Sequence, residues 1–150
     1  MKIKKLSKSN LYLWTGLRKQ LWPAPSETAN ESDGEEIIRS AHLVSFIALD
    51  DDDKGLGFAD ASIRNDYVNG CSDSPVAFLE GIFVTPSCRG RGVAKQLIDA
   101  VQSWGLEKGC KELASDTALD NVTSQKVHNA LGFKETEKVV FFKKELTKSF

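Results

Sequence analysis

The stretch "VAFLEGIFVTPSCRGRGVAKQLI", Val76 to Ile98, constrains the fold more than any other part of the chain. Val76 to Val84 is the most strand-like run, rich in β-branched and aromatic residues. Two glycines alternating with two arginines follow. Val93, Leu97, Val101 and Trp104 then recur at i, i+4, i+8 and i+11, marking one buried face of a helix that stops before Gly109. A strand that ends in a glycine turn and opens a helix aims several backbone N–H groups, and the helix dipole, at one spot suited to a phosphate. Two well-known phosphate loops do not match. Gly90-Arg91-Gly92-Val93-Ala94-Lys95 lacks both the spacing and the terminal hydroxyl residue of GxxxxGK[ST], and Lys95 stands where GxGxxG needs its last glycine. By itself the loop is either a cradle for another kind of phosphate or a tight turn with two solvated arginines.

The remaining elements follow from periodicity and turn residues. "IKKL" predicts a short edge strand. "SNLYLWTGLRKQLWP" predicts a helix, with Leu13, Trp14, Leu17 and Leu21 at helical spacing, Ser9 or Asn10 as its cap and Pro23 as its end. "APSETANESDG" reads as a polar loop and Glu35 to His42 as a short helix. "LVSFIAL" and "GLGFADASIR" flank the acidic tetrad Asp50 to Asp53, which predicts a hairpin with an acidic turn; the string "DDDDK" there also matches a protease recognition sequence and is read as a turn. "CKELASD" is a second buried strand, "NVTSQKVHNALGF" a helix closed by Gly132, and "EKVVFFKKEL" a last strand. Early hairpins and a later strand-helix-strand crossover predict a single α+β domain over residues 1–150, with a mixed, mostly antiparallel sheet flanked by helices.

A chain of 150 residues buries roughly two thirds of its unfolded surface, enough for one core. The net charge of −1 gives no general attraction to nucleic acid, and no apolar run reaches membrane-spanning length. Cys71, Cys88 and Cys110 are unpaired in spacing and suit a reducing, cytoplasmic setting. His42 and His128 lie in no metal-binding spacing, so no metal is expected. The charge is uneven: +6 over residues 1–22, −10 over 27–80 and +3 over 81–150. The acidic middle is either solvated surface or the attraction for a cationic ligand.

Arg89-x-x-Gly92-x-Ala94, after the apolar strand with Val84 and Pro86, resembles the [QR]xxGx[GA] signature of the GCN5-related N-acetyltransferase superfamily, and the order of elements agrees over nearly the whole chain. The resemblance implies that the co-substrate is acetyl-CoA. The backbone amides from Arg91 through Gly92, Val93 and Ala94 to Lys95 would then hold its pyrophosphate, with Arg89 and Arg91 beside it, and the strand at Ile82, Phe83 and Val84 would pair with the pantetheine arm. Asn121, at the start of the next helix, either hydrogen-bonds the pantetheine, as in related enzymes, or only caps the helix. "HNALGF" stands where the family usually has "YxxxGF", so His128 occupies the place of the tyrosine thought to protonate the departing thiolate. An imidazole can serve as that acid or be merely a packed helix residue.

"ADASIRNDYVNG", "SPVAFLEGIFV", "ASDTALDN", "ETEKVVFF" and "LYLWTGLRKQLW" together are similar to the aminoglycoside 6'-N-acetyltransferases. That likeness implies a polycationic antibiotic as acceptor, resistance as the role, and a homodimer whose interface includes "VVFF". Alternating parity predicts Phe78, Glu80 and Ile82 on one face of their strand and Leu79, Gly81 and Phe83 on the other. A carboxylate among apolar neighbours is costly unless it is paired or used, so Glu80 is either a general base or the partner of a structural Lys or Arg. Asp116 either contacts the amine or caps the following helix. Trp22, Asp66 and Tyr67 are weaker pocket candidates. Cys88 has no histidine in its motif to activate it, which leaves direct transfer, with a strand N–H near Ile82 or Phe83 holding the oxyanion. Two alternatives stay open: an acetyltransferase of this fold acting on a polyamine or a protein N-terminus, and a CoA-binding module without catalysis.

Overall fold

A computed structural model describes residues 1–147. The elements are β1 (Lys2–Lys5), α1 (Leu11–Leu21), α2 (Glu27–Arg39), β2 (Leu43–Leu49), β3 (Gly55–Arg64), β4 (Val76–Val84), a 3₁₀ turn (Pro86–Cys88), α3 (Val93–Glu107), β5 (Leu113–Ser115) and α4 (Val122–Ala130). The sheet runs β1-β2-β3-β4-β5, antiparallel as far as β4, with β5 parallel to it. The architecture is α+β, a mixed and mostly antiparallel sheet with helices on both faces.

The helical stripe foreseen in α3 is the core of one face. Val93, Leu97, Val101 and Trp104 are buried with Val44, Ala48, Ala59, Ala61 and Leu79, and cutting a fully buried leucine such as Leu97 back to alanine costs about 2–5 kcal/mol. On the other face Trp14 and Leu17 of α1 pack with Ile47, Leu49 and Phe58. The Trp14 ring is fully buried, and its Nε1–H donates to Ser45 Oγ (2.8 Å) and Asp60 Oδ1 (3.0 Å), so its one donor is satisfied.

Three expectations are corrected. The polar segment taken as a loop is the first half of α2: Ser26 caps it by accepting from Ala29 N (3.1 Å), with Glu27 in the first turn. Gly34, a helix breaker by composition, lies where α2 meets α1, because a Cβ there would run into Leu11 and Trp14. The segment 137–146, read as a last strand, forms no regular structure. Val140, Phe141, Phe142 and Leu146 are exposed, and among the described residues no strand lies alongside to supply the ladder hydrogen bonds that make a strand.

The third correction concerns parity in β4. Asp60 pairs with Gly81 and Ala61 with Leu79, which leaves Glu80 as an extra, bulged residue. Leu79 and Ile82, expected on opposite faces, therefore both pack on the α3 side. Phe83 packs on the α1 side, and Gly81 faces it too, where a Cβ would strike the Trp22 ring.

Candidate active site

Two clefts lie along β4. The first is a cavity of about 420 Å³ between α1, α2 and the sheet, lined by Arg18, Trp22, Asp33, Glu36, Asp60 and Glu80 among others. The bulge aims Glu80 into it. Ser62 donates to Glu80 Oε1 at 2.6 Å, and Arg64 Nη2 lies 3.0 Å from Oε1 and 3.3 Å from Oε2. The expected basic partner thus exists, while the carboxylate keeps an edge in the cavity. Asp60 is 5% exposed, and burial pushes its carboxyl up to about 6, against hydrogen bonds from Ser45 and Trp14 and the charge of Arg18. Arg18 stacks between Trp14 and Trp22, with its charge centre 4.6 Å and 5.2 Å from their rings. It stands 3.5 Å from Asp33 and 3.8 Å from Asp60, while its Nε and Nη1 have no hydrogen-bond partner among the described residues. Four carboxylates, with Arg18 among them and Arg64 paired to Glu80, leave a surplus of negative charge that makes the cavity a seat for cations.

The acidic middle therefore divides. Asp50 to Asp53 form the β2–β3 turn, where Asp50 Oδ1 accepts from Asp52 N and Lys54 N, and Lys2 Nζ meets Asp53 at 2.8 Å. That turn stands at the other end of the sheet, near where Val84 leaves it opposite Gly57.

The second cleft opens on the opposite edge of β4. Pairing with β5 covers only Ala77, Phe78 and Leu79, while β4 continues through Ile82 and Phe83 to Val84. From Glu80 onward the backbone groups pointing away from β3 have no strand beside them. Past Val84 the chain makes the 3₁₀ turn, and Gly90 (φ 79°) and Gly92 (φ 80°) take the left-handed conformation. Gly92 caps α3 without a side chain, so the N–H groups of Val93, Ala94 and Lys95 open the helix, and a Cβ at Gly90 or Gly92 would meet nothing within 4 Å. Open space therefore lies beside both glycines, next to the start of α3.

Its side chains take separate courses. Arg89 folds back, Nε to Val84 O at 3.0 Å, and Lys95 pairs with Asp99 at 3.0 Å, while Arg91 is exposed. Hydrogen bonds from Thr85 and Ser87 hold the half-buried Cys88 thiol below its usual range.

At the apex between β4 and β5, His128 Nε2 lies 2.8 Å from Ser115 Oγ, and Nδ1 lies 2.7 Å from Ser124 O. Asp116 follows Ser115, the residue opposite Leu79, just past the last β4–β5 pair, and does not line the cavity. Asn121 caps α4, its Oδ1 accepting from Ser124 N at 3.1 Å. Asp66 and Tyr67 lie in the exposed loop after β3, outside the cavity. Of the sequence candidates, Trp22 and Glu80 share the first cleft. Arg18, Asp33, Glu36, Asp60 and Ser115 were missed. Asp60 was within reach of the argument used for Glu80, a carboxylate in mid-strand; Ser115 and the cavity carboxylates of α2 carry no such signal. Among the described residues no group of three His, Cys, Asp or Glu could hold a metal ion, and no helix is long and apolar enough to cross a membrane.

A bulged strand, a splayed neighbour and an open glycine loop at a helix start define an acyl-transfer fold. The chain belongs to the Acetyltransferase (GNAT) family, whose profile matches residues 14–133. Within it, the chain is 62% identical to an aminoglycoside N(6')-acetyltransferase type 1 of Salmonella enteritidis, over 96% of this chain and 99% of that one. It is 48% identical to one from Serratia marcescens, over 91% and 94%. Among solved structures, aminoglycoside N-acetyltransferase AAC(6')-Iy in complex with a bisubstrate analogue, CoA-S-monomethyl-acetylneamine, superposes with a TM-score of 0.93 at 61% identity, covering 97% of this chain and 98% of that one.

Proposed function

We propose that this protein transfers acetyl from acetyl-CoA to the 6'-amino group of aminoglycoside antibiotics, in one step within a ternary complex, and thereby confers resistance in the cytoplasm. The observation that carries the reading is the cavity beside β4, with Asp33, Glu36, Asp60 and Glu80 around a space suited to a polyamine; the identity with enzymes named for this reaction supports it. When bound, acetyl-CoA supplies an activated acyl group as a thioester. The loop from Gly90 to Lys95 suits its pyrophosphate, since it ends at the start of α3, whose first N–H groups no side chain of the Gly92 cap takes up, and open space lies beside Gly90 and Gly92. The free edge of β4 suits its pantetheine arm.

Glu80 is the proposed general base. Oε1 is held by Ser62 and Arg64, and Oε2, with only the longer Arg64 contact, accepts the proton of the incoming ammonium directly or through a water. Asp116, just past the last β4–β5 pair, holds the same amine. An edge N–H of β4 near Ile82 or Phe83 stabilises the oxyanion. Trp22 walls the cavity over Gly81.

The test is release of free thiol with a panel of matched 6'-amino and 6'-hydroxy aminoglycosides. Turnover confined to the 6'-amino compounds is expected. Equal or better turnover of simple polyamines or peptides would replace this acceptor with another.

A homodimer belongs to the same proposal, because the arm at 139–146 exposes Val140, Phe141, Phe142 and Leu146, and a second copy of this chain is its proposed cover. Light scattering should give twice the chain mass, and a chain ending at Glu137 should run as a monomer; a monomeric full-length chain would contradict it.

A further inference from the structure

We infer that the hydroxyl of Ser115 is the proton donor to the departing sulfur, and that His128 acts through it. The inference rests on the proposed use of acetyl-CoA but not on the identity of the acceptor.

Geometry places Ser115 where a thioester would end. The phosphate loop lies beyond Val84, so a pantetheine arm paired with the free edge of β4 runs back from Val84 toward Glu80. From Val84 to Glu80 the strand spans about 13 Å, within reach of an extended arm. The cleft closes at the pair Leu79–Ser115, the last contact between β4 and β5. Ser115 Oγ sits at that apex, half-buried, 3.3 Å from Leu79 O.

The hydrogen bonds around it specify a direction for the proton. Ser124 O can only accept, so the 2.7 Å contact requires a hydrogen on His128 Nδ1. Nε2 then faces Ser115 Oγ at 2.8 Å. With the imidazole neutral, Oγ–H donates to Nε2. With the imidazolium, Nε2–H donates to Oγ, and Oγ–H turns toward Leu79 O, which completes every bond in the cluster. Phe133 packs edge-on to the His128 ring, 5.2 Å between centroids, and helps fix its plane. Ser115, hydrogen-bonded to His128 Nε2, puts an O–H at the apex of the cleft.

The step balances. Ser115 Oγ gives its proton to the thiolate sulfur and receives the Nε2 proton of the His128 imidazolium. Serine ends as a hydroxyl, imidazole ends neutral, and the sulfur leaves as a thiol. His128 regains its proton from solvent. Ser115 is the catalytic residue and His128 a positioning and relay residue.

The experiment compares CoA with desulfo-CoA by calorimetry in the wild type, Ser115→Ala, Ser115→Thr and His128→Phe, alongside kcat for acetyl transfer. The wild type should bind CoA about three- to tenfold more tightly than desulfo-CoA, the share of one hydrogen bond to sulfur. Ser115→Ala should lose that preference and about two orders of magnitude in kcat, whereas Ser115→Thr, which keeps the hydroxyl, retains most of both. His128→Phe should lose kcat yet keep the preference, because its action is through the serine. A Ser115→Ala variant that keeps the preference for CoA, or loses it together with Ser115→Thr, overturns the inference. If the wild type shows the preference but acetylates no aminoglycoside, the acceptor proposal fails while the sulfur contact stands.

Discussion

The two sides of β4 make different use of one strand. Toward α1 and α2 the site is built from side chains: Asp33, Glu36, Asp60 and Glu80 around Arg18. Toward β5 it is built from backbone: a free strand edge, the glycine loop, and one hydrogen-bonded Ser–His pair. An acceptor with several ammonium groups is met by charge, which attracts at a distance and tolerates varied shapes. A donor with a pyrophosphate and an amide-bearing arm is met by amides in fixed geometry. The bulge at Glu80 is the point where the two meet, since it turns a carboxylate into the acidic cavity from the strand whose other edge stays free.

The largest expected effect tests how much charge the acidic side has buried. The Asp60 carboxyl, pushed up to about 6 from an ordinary 3.8, prefers its proton in the folded state. That preference contributes stability fully below the lower value and lost as pH rises through the upper one. Asp60→Asn, which cannot ionise, should therefore gain on the wild type between about pH 4 and pH 6, by on the order of 3 kcal/mol, and hold that gain above. Denaturant midpoints across pH 4–8 measure it; a gap independent of pH would mean that the carboxylate sits more comfortably than its burial suggests.

Next in size is Glu80→Gln, which should lower turnover by about two orders of magnitude with kanamycin or tobramycin. Near-wild-type thiol release would end its assignment as the base and leave it the partner of Arg64. Gly81→Ala sharpens the contrast differently, because the new methyl meets the Trp22 ring on the acidic side only. A loss of about 1–3 kcal/mol in stability is expected from such overpacking, together with a higher KM for the acceptor. Unchanged melting and kinetics would show that the ring is free to step aside.

How far the sequence reached follows the same division. The donor side was legible because its elements are local: a β-branched run, two glycines, and a helical stripe over a few consecutive turns. The acidic side depends on contacts between distant segments. Helix α2 was read as half loop because Gly34 and Asn30 look like breakers until the fold buries them, Gly34 against α1. The parity of β4 failed at Glu80 because a bulge is set by the partner strand. The arm 137–146 has the pattern of a strand but no strand beside it among the described residues, and patterning alone cannot supply one. Glu80 was found from the cost of a misplaced carboxylate, and Trp22 stood only among the weaker pocket candidates; Asp33 and Glu36 were hidden by their own ordinariness on a polar helix.

The most direct measurement asks whether the two sides act independently. Asp33→Asn combined with Glu36→Gln strips two carboxylates from the acidic cavity and touches nothing on the β5 side. The KM for a 6'-amino aminoglycoside should rise about tenfold, as expected for two partly exposed charges meeting ammonium groups, while calorimetry gives the same Kd for CoA as the wild type. A CoA affinity that falls in step with acceptor affinity would contradict the division of labour across β4.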